Sequence, residues 1–234
     1  MSVDLVPVWN SAPEEFFSHR TAIVIDVLRA TTTIAHAVAQ GAAGIMPVCE
    51  VQEAYAQRER HPDWLLGGER DGVAPQGFDL GNSPLEYTSL RVRDRTIVLT
   101  TTNGTMAMQR ARLAERIVSG AIVNAGVVAQ AVAADQDVVF LLSGTHGAFS
   151  LEDFVGAGAI AAQLGRDAEW DDAVRAAVAL YRAHEDDLAS LLLSGQHGAY
   201  IAAIGFAKDV QVAAQVDSCP VLAVLEEDIL RRKA

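Results

Sequence analysis

Three stretches of this chain run from an apolar, strand-like segment into a hydroxyl-rich turn and on into helical sequence. They are IVIDVLRATTTI from Ile23, TIVLTTTNGTMAM from Thr96 and VVFLLSGTHGAFSLED from Val138. At such junctions the first backbone N–H groups of the helix lack intrahelical acceptors and the helix dipole is positive, so oxyanions bind readily. Thr31, Thr32, Thr101, Thr102, Asn103 and Gly104 are therefore candidate substrate-binding residues. None of the three turns has the spacing of a P-loop or a dinucleotide fingerprint. Ordinary helix capping is the competing role for Thr31, Thr32, Asn103 and Ser150.

Asp26 lies inside the first of these stretches. A carboxylate at a buried strand position is costly unless a cation compensates it, which marks Asp26 as a catalytic candidate and a metal ligand. Three residues on, Arg29 carries a planar donor fork suited to phosphate or sulfonate oxygens. A private contact of Asp26 with Arg29 or with backbone is the alternative.

The segment GGERDGVAPQGFDLGNSPLEY from Gly67 holds too many breakers for a regular element and is too long for a passive connection. It contributes Glu69 and Asp79 as expected magnesium ligands beside Asp26, Arg70 as a catalytic anion-binding candidate, and Asn82 as a substrate-binding one. Magnesium takes oxygen ligands, commonly one or two carboxylates together with substrate phosphate. Asp71 and Glu86 read as solvated or capping residues. Ser150-Leu-Glu-Asp has the form of a capping box, which competes with a site role for Glu152 or a metal-ligand role for Asp153.

His146 and His197 stand in glycine turns, where each is a ligand, a proton carrier or a backbone-bonded imidazole. LLSGTHGAF from Leu141 is echoed by LLSGQHGAY from Leu192, and the echo reads as chance. There is no nucleophile elbow, and Cys49 and Cys219 are isolated structural thiols. Metal-assisted hydrolysis is the chemistry that remains.

Positioning these groups calls for strands whose ends meet. Apolar runs predict strands at 22–28, 44–48, 96–101 and 138–143, with weaker ones at 3–8, 117–119 and 220–225. Helical periods fall at 33–40, 51–60, 105–113, 123–133 and 150–164, with a helical tail over 171–216. The alternation predicts a layered α/β/α fold with a mostly parallel or mixed sheet. At 234 residues it forms a single compact unit, or two intimately packed α/β subdomains divided near 120–135.

Eighteen basic against thirty acidic residues give a formal charge of −12, which argues against nucleic acid as a partner. The start carries no secretory pattern and no apolar run is long enough to span a bilayer, so a cytoplasmic protein is expected. The expected partners are a small anionic phosphate ester and further copies of the chain in a homo-oligomer.

The blocks IDVLRATTTI from Ile25, GGERDGVAPQGFDLGNSPLEY from Gly67, VLTTTNGT from Val98 and FSLED from Phe149 together resemble the 2-phosphosulfolactate phosphatase family. A fainter match runs from Gly205-Phe206 through Lys208-Asp209 to Val221. The resemblance implies magnesium-dependent hydrolysis of 2-phospho-3-sulfolactate to 3-sulfolactate and phosphate, a step of coenzyme M biosynthesis. It also implies a fold distinct from the haloacid dehalogenase phosphatases. The family pattern carries Cys near Ser143 and Asn in place of His146, so it implies neither a thiol nucleophile nor an obligatory role for His146. A sulfonate needs a second anion pocket, for which Arg29 and Arg70 are the candidates. The same chemistry on another phosphorylated hydroxy acid, and a non-catalytic anion-binding module, are the competing functions.

Overall fold

The computed structural model describes residues 1–165 and 169–233. Ten strands form one mixed sheet: β1 (Ser2–Val6), β2 (Thr21–Ile25), β3 (Gly44–Val48), β4 (Leu65–Gly68), β5 (Thr96–Thr100), β6 (Arg116–Gly120), β7 (Asp137–Leu142), β8 (Glu169–Trp170), β9 (Leu222–Glu226) and β10 (Ile229–Lys233). Their spatial order is β4-β5-β3-β10-β9-β6-β2-β7-β1-β8. The helices are α1 (Ala30–Ala39), α2 (Val51–Arg60), α3 (Ser89–Val92), α4 (Gly104–Arg110), α5 (Ala125–Val132), α6 (Leu151–Ala161), α7 (Asp172–His184), α8 (Leu188–Ser194), α9 (Gln196–Ile201) and α10 (Ala207–Ala213).

β2 shows why the fold is layered. Its residues are apolar throughout because both faces are covered. Ile23 and Ile25 join Phe140 and Leu142 in a core shared with α5, α6 and α7. Ala22 and Val24 point the other way, into a core with Ile34 and Val38 of α1 and Met108 of α4. Alternate side chains of a strand face opposite sides, so one apolar run serves two cores.

The sheet holds two parallel sets, β4-β5-β3 and β6-β2-β7-β1-β8, joined through the antiparallel hairpin β9–β10. The pairings β3–β10, β10–β9 and β9–β6 are all antiparallel, so the two sets run in opposite directions. In a flat sheet their carboxyl ends would lie on opposite edges. They meet instead, because Gly104, at the start of α4, lies against Asp26, just beyond β2. The sheet is therefore not flat, and its two sets are thinly joined: β10 pairs β3 at Leu230–Ile45 and β9 pairs β6 at two positions.

Several expected boundaries shift. β2 ends at Ile25 rather than at residue 28, because Asp26 begins the turn into α1. The helical tail divides into α7 to α10, with Gly195 extended before α9 and Gly205 at φ 101° before α10. β4 and β10 were not expected, since LLGG merges into the glycine-rich loop and ILRRK reads as a charged tail.

Candidate active site

A narrow cleft of about 40 Å³, partly open to solvent, lies where the turns after β2, β4, β5 and β7 converge, and its lining includes Asp26, Glu69, Asn82, Thr102, Asn103 and His197. Ligands in open α/β sheets sit beyond the carboxyl ends of strands. Here those ends come from two oppositely directed parallel sets.

Asp26 is 8% exposed. Its Oδ1 accepts the Ala30 N–H at 3.0 Å, while Oδ2 faces Gly104, where a Cβ would lie only 2.6 Å away. That contact explains the glycine at the start of α4. Burial raises the Asp26 pKa to about 6; the Ala30 amide and His197 pull it down, and Glu69 and Glu152 push it up.

Glu69 is held from three sides. Oε1 accepts the Thr102 N–H at 2.7 Å, and Oε2 accepts the Gly72 N–H at 2.7 Å and the Thr102 hydroxyl at 3.3 Å. Gly68 before it has φ 128° with its α-carbon against the Thr100 carbonyl, a conformation and an approach that only glycine allows. Asn82 is 4% exposed and lines the cleft, and its Oδ1 has no hydrogen-bond donor among the described residues. Buried side-chain oxygens are ordinarily paired, so this one marks a place for a ligand.

Other expected site residues have structural duties. Arg29 bonds Asp209 at 2.9 Å and the Gly72 carbonyl at 2.7 Å, and stacks on Phe206 at 4.2 Å. It borders the cleft, but a buried carboxylate already balances its charge. Arg70 bonds the carbonyls of Glu69 and Cys49 and the Thr100 hydroxyl, which ties the loop to β5 instead of facing the cleft. Asp79 pairs with Arg58 and accepts the Leu66 N–H at 2.8 Å. It is therefore not brought together with Asp26 and Glu69.

Asp153 is also taken. Oδ1 accepts the Val27 N–H at 2.8 Å and Oδ2 the Gly144 N–H at 3.0 Å, so its carboxylate fastens the turn after β2 to the turn after β7. Burial, then Asp26 and Glu152, hold its pKa well above the usual carboxylate range.

The hydroxyls divide similarly. Thr31, Thr32 and Thr33 donate to the carbonyls of Asp26, Val27 and Asn82 at 2.8 Å each, so the triple threonine fastens α1 to its surroundings. Thr101 pairs with Thr105. Thr102 and Asn103 line the cleft, and Asn103 makes no side-chain cap. Ser150 does cap α6, accepting the Asp153 N–H at 3.2 Å.

Two residues gain importance from the structure. Asp209, 1% exposed, joins Arg29 to the Ser83 hydroxyl at 2.7 Å, and its only sequence signal was the faint Lys208-Asp209 match. Glu152, 2% exposed, makes no side-chain hydrogen bond among the described residues and lines a second chamber beside the cleft.

Among the described residues no group of three His, Cys, Asp or Glu side chains encloses a metal. Asp26, Glu69 and Asn82 nevertheless line the same cleft, and their side-chain oxygens are the hard donors that a cation shared with substrate oxygens and solvent would take. Fold and site together define a layered mixed α/β protein with a carboxylate-lined cleft at its strand ends.

The family model described as 2-phosphosulpholactate phosphatase matches residues 8–228. The chain is 42% identical over 224 residues to the "Probable 2-phosphosulfolactate phosphatase" of Symbiobacterium thermophilum, covering 93% of this chain and 96% of that one. It is 35% identical over 236 residues to the protein of that name from Caldanaerobacter subterraneus, with 99% and 98% covered. The Deinococcus radiodurans protein of the same name is 42% identical, with 87% of each covered. The chain belongs to the 2-phosphosulfolactate phosphatase family, and so to the phosphoric monoester hydrolases. No helix among the described residues is long and apolar enough to cross a membrane.

Proposed function

We propose that this enzyme hydrolyses 2-phospho-3-sulfolactate to 3-sulfolactate and phosphate with the help of Mg²⁺. The observation that carries the reading is that Asp26, Glu69 and Asn82, whose Oδ1 finds no partner among the described residues, line one cleft at the strand ends. Asp26, Glu69 and Asn82 would hold the cation, which supplies charge neutralisation for the phosphoryl oxygens when bound. Asp26 keeps Oδ2 free for a cation or for the proton of an attacking water, because only Oδ1 is engaged by backbone. Glu69 needs little reorganisation, since two amides and a hydroxyl already fix its orientation. Asn103 and Thr102 border the place where phosphoryl oxygens would lie.

Released phosphate, measured with Mg²⁺ and then with excess chelator, tests the reading. Chelation is expected to lower the rate by about a hundredfold or more. Release that ignores the chelator would remove the metal from the reaction, and no release from this ester would remove the substrate. One observation favours including other phosphorylated hydroxy acids in the assay: Arg29 and Arg70, the expected sulfonate partners, are engaged elsewhere.

A further inference from the structure

The echo between LLSGTHGAF and LLSGQHGAY becomes spatial in the folded chain. The two copies lie 51 residues apart and adopt different local structures: His146 sits at φ 51° in a turn after β7, whereas His197 lies in α9. Corresponding residues nevertheless face one cavity. Thr145 with Gln196, and His146 with His197, line a second chamber of about 490 Å³, open to solvent, beside the catalytic cleft. Thr145, His146 and His197 also line the cleft itself, so they form the partition between the two spaces.

The chamber is graded in chemistry. Ser150 and Glu152 at its floor are buried, whereas His146, Gln196 and Phe149 on its outer wall are exposed. His197 is fixed, because its Nε2 lies 2.8 Å from the Leu28 carbonyl and must donate to it, which leaves Nδ1 as the open nitrogen. His146 is set at the tip of a turn closed by reciprocal Thr145–Ala148 backbone bonds of 2.9 Å. Two imidazoles and a carboxamide thus stand along the outer wall and partition, next to the reacting cleft and away from the carboxylate floor.

We propose that this chamber receives the non-transferred half of the substrate, and that His146 and Gln196 read its terminal oxyacid group, either sulfonate or carboxylate. The inference rests on the phosphatase reading and deepens it, by giving the acid group a site other than Arg29 and Arg70. A short hydroxy-acid skeleton lets the phosphoryl group lie at Asp26 and Glu69 while the acid group passes the partition. His146 and Gln196 set which ester is preferred, and neither touches the reacting phosphorus.

The test compares His146→Ala and Gln196→Ala with the wild type on three esters in Mg²⁺: 2-phospho-3-sulfolactate, 2-phospholactate without the sulfonate, and the phosphate ester of isethionate without the carboxylate. Each variant is expected to lower kcat/KM for the ester carrying the recognised acid relative to the ester lacking it by about tenfold, the loss of one hydrogen bond to a charged group. The effect should lie in KM, and the ester whose preference collapses identifies the acid. Calorimetric titration with 3-sulfolactate, lactate and isethionate reads the same preference without turnover. Preference ratios and product affinities that match the wild type in both variants would overturn the assignment. A wild type that binds these acids but releases no phosphate would instead remove the phosphatase reading and leave the chamber assignment standing.

Discussion

Asp26 and Asp153 stand on two neighbouring turns, after β2 and at the start of α6, and burial raises the pKa of both. Their oxygens are used differently. Asp153 places one oxygen on Val27 N–H and the other on Gly144 N–H, so both ends of the carboxylate join backbone to backbone. Asp26 places one oxygen on Ala30 N–H and leaves the second facing the cleft past the bare α-carbon of Gly104. Burial alone therefore does not distinguish a reacting carboxylate from a structural one. Counting donors on each oxygen does, and it makes Asp153 the brace that holds Asp26 in place.

The largest expected effect follows from replacing the open carboxylate. Asp26→Asn keeps the volume and an acceptor for Ala30 but removes the charge, and phosphate release should fall by about a thousandfold or more. Stability should move the opposite way in metal-free protein. The Asp26 pKa is about 6 when folded against 3.8 for a free aspartate side chain. The folded state therefore binds the proton more tightly, and its stability is eroded as pH rises from about 4 through 6, by up to roughly 3 kcal/mol above pH 7. Asn escapes that cost. Thermal melts in chelator should show the variant gaining on the wild type from pH 4 to pH 7, and parallel curves would mean that Asp26 ionises without penalty.

Asp153→Asn tests the other side of the comparison. An amide has one acceptor oxygen, so either Val27 N–H or Gly144 N–H loses its partner and faces an NH₂ group. Leaving one buried donor unpaired costs about 1–3 kcal/mol, and at this chain length each kcal/mol lowers Tm by about 2–4 °C. Activity should fall as well, but through a displaced Asp26, so added Mg²⁺ should restore part of it. A variant that melts like the wild type and is as inactive as Asp26→Asn would place Asp153 in the chemistry and erase the distinction.

How much of this was legible in the sequence follows the same division. β2, β5 and β7 were visible because strands covered on both faces are continuous apolar runs, β3 was visible as an apolar run although it is only partly covered, and Asp26 stood out as a charge beside β2. The loop after β4 announced itself by its glycines. Partnership across the chain was not visible: Arg29 finds Asp209 at a separation of 180 residues, and nothing local to Arg29 indicates that its fork is taken. Glu152 and Asp153 are adjacent, so sequence placed both in the first turn of α6 without saying which would meet backbone and which a cavity. The reversal of direction between the two parallel sets depends on β10, whose ILRRK carries three charges and only one buried side chain.

Asp79 supplies the smallest effect and a check on how acids in the loop are sorted. It lies in the GFDLGNSP block with Asn82, and sequence alone puts it beside Glu69 as a metal ligand. Its side chain is 35% exposed and bonds Arg58 and the Leu66 amide, so it pins the glycine-rich loop to the start of β4. A half-exposed ion pair contributes about 0.2–1 kcal/mol, and the backbone bond adds a similar amount. Asp79→Ala should therefore lower Tm by a few degrees and alter kcat by less than about threefold, with the Mg²⁺ concentration for half-maximal rate unchanged. A rise in that concentration of about tenfold or more would show that the loop rearranges in the working enzyme to bring Asp79 to the cation. The donor set of Asp26, Glu69 and Asn82 would then be incomplete.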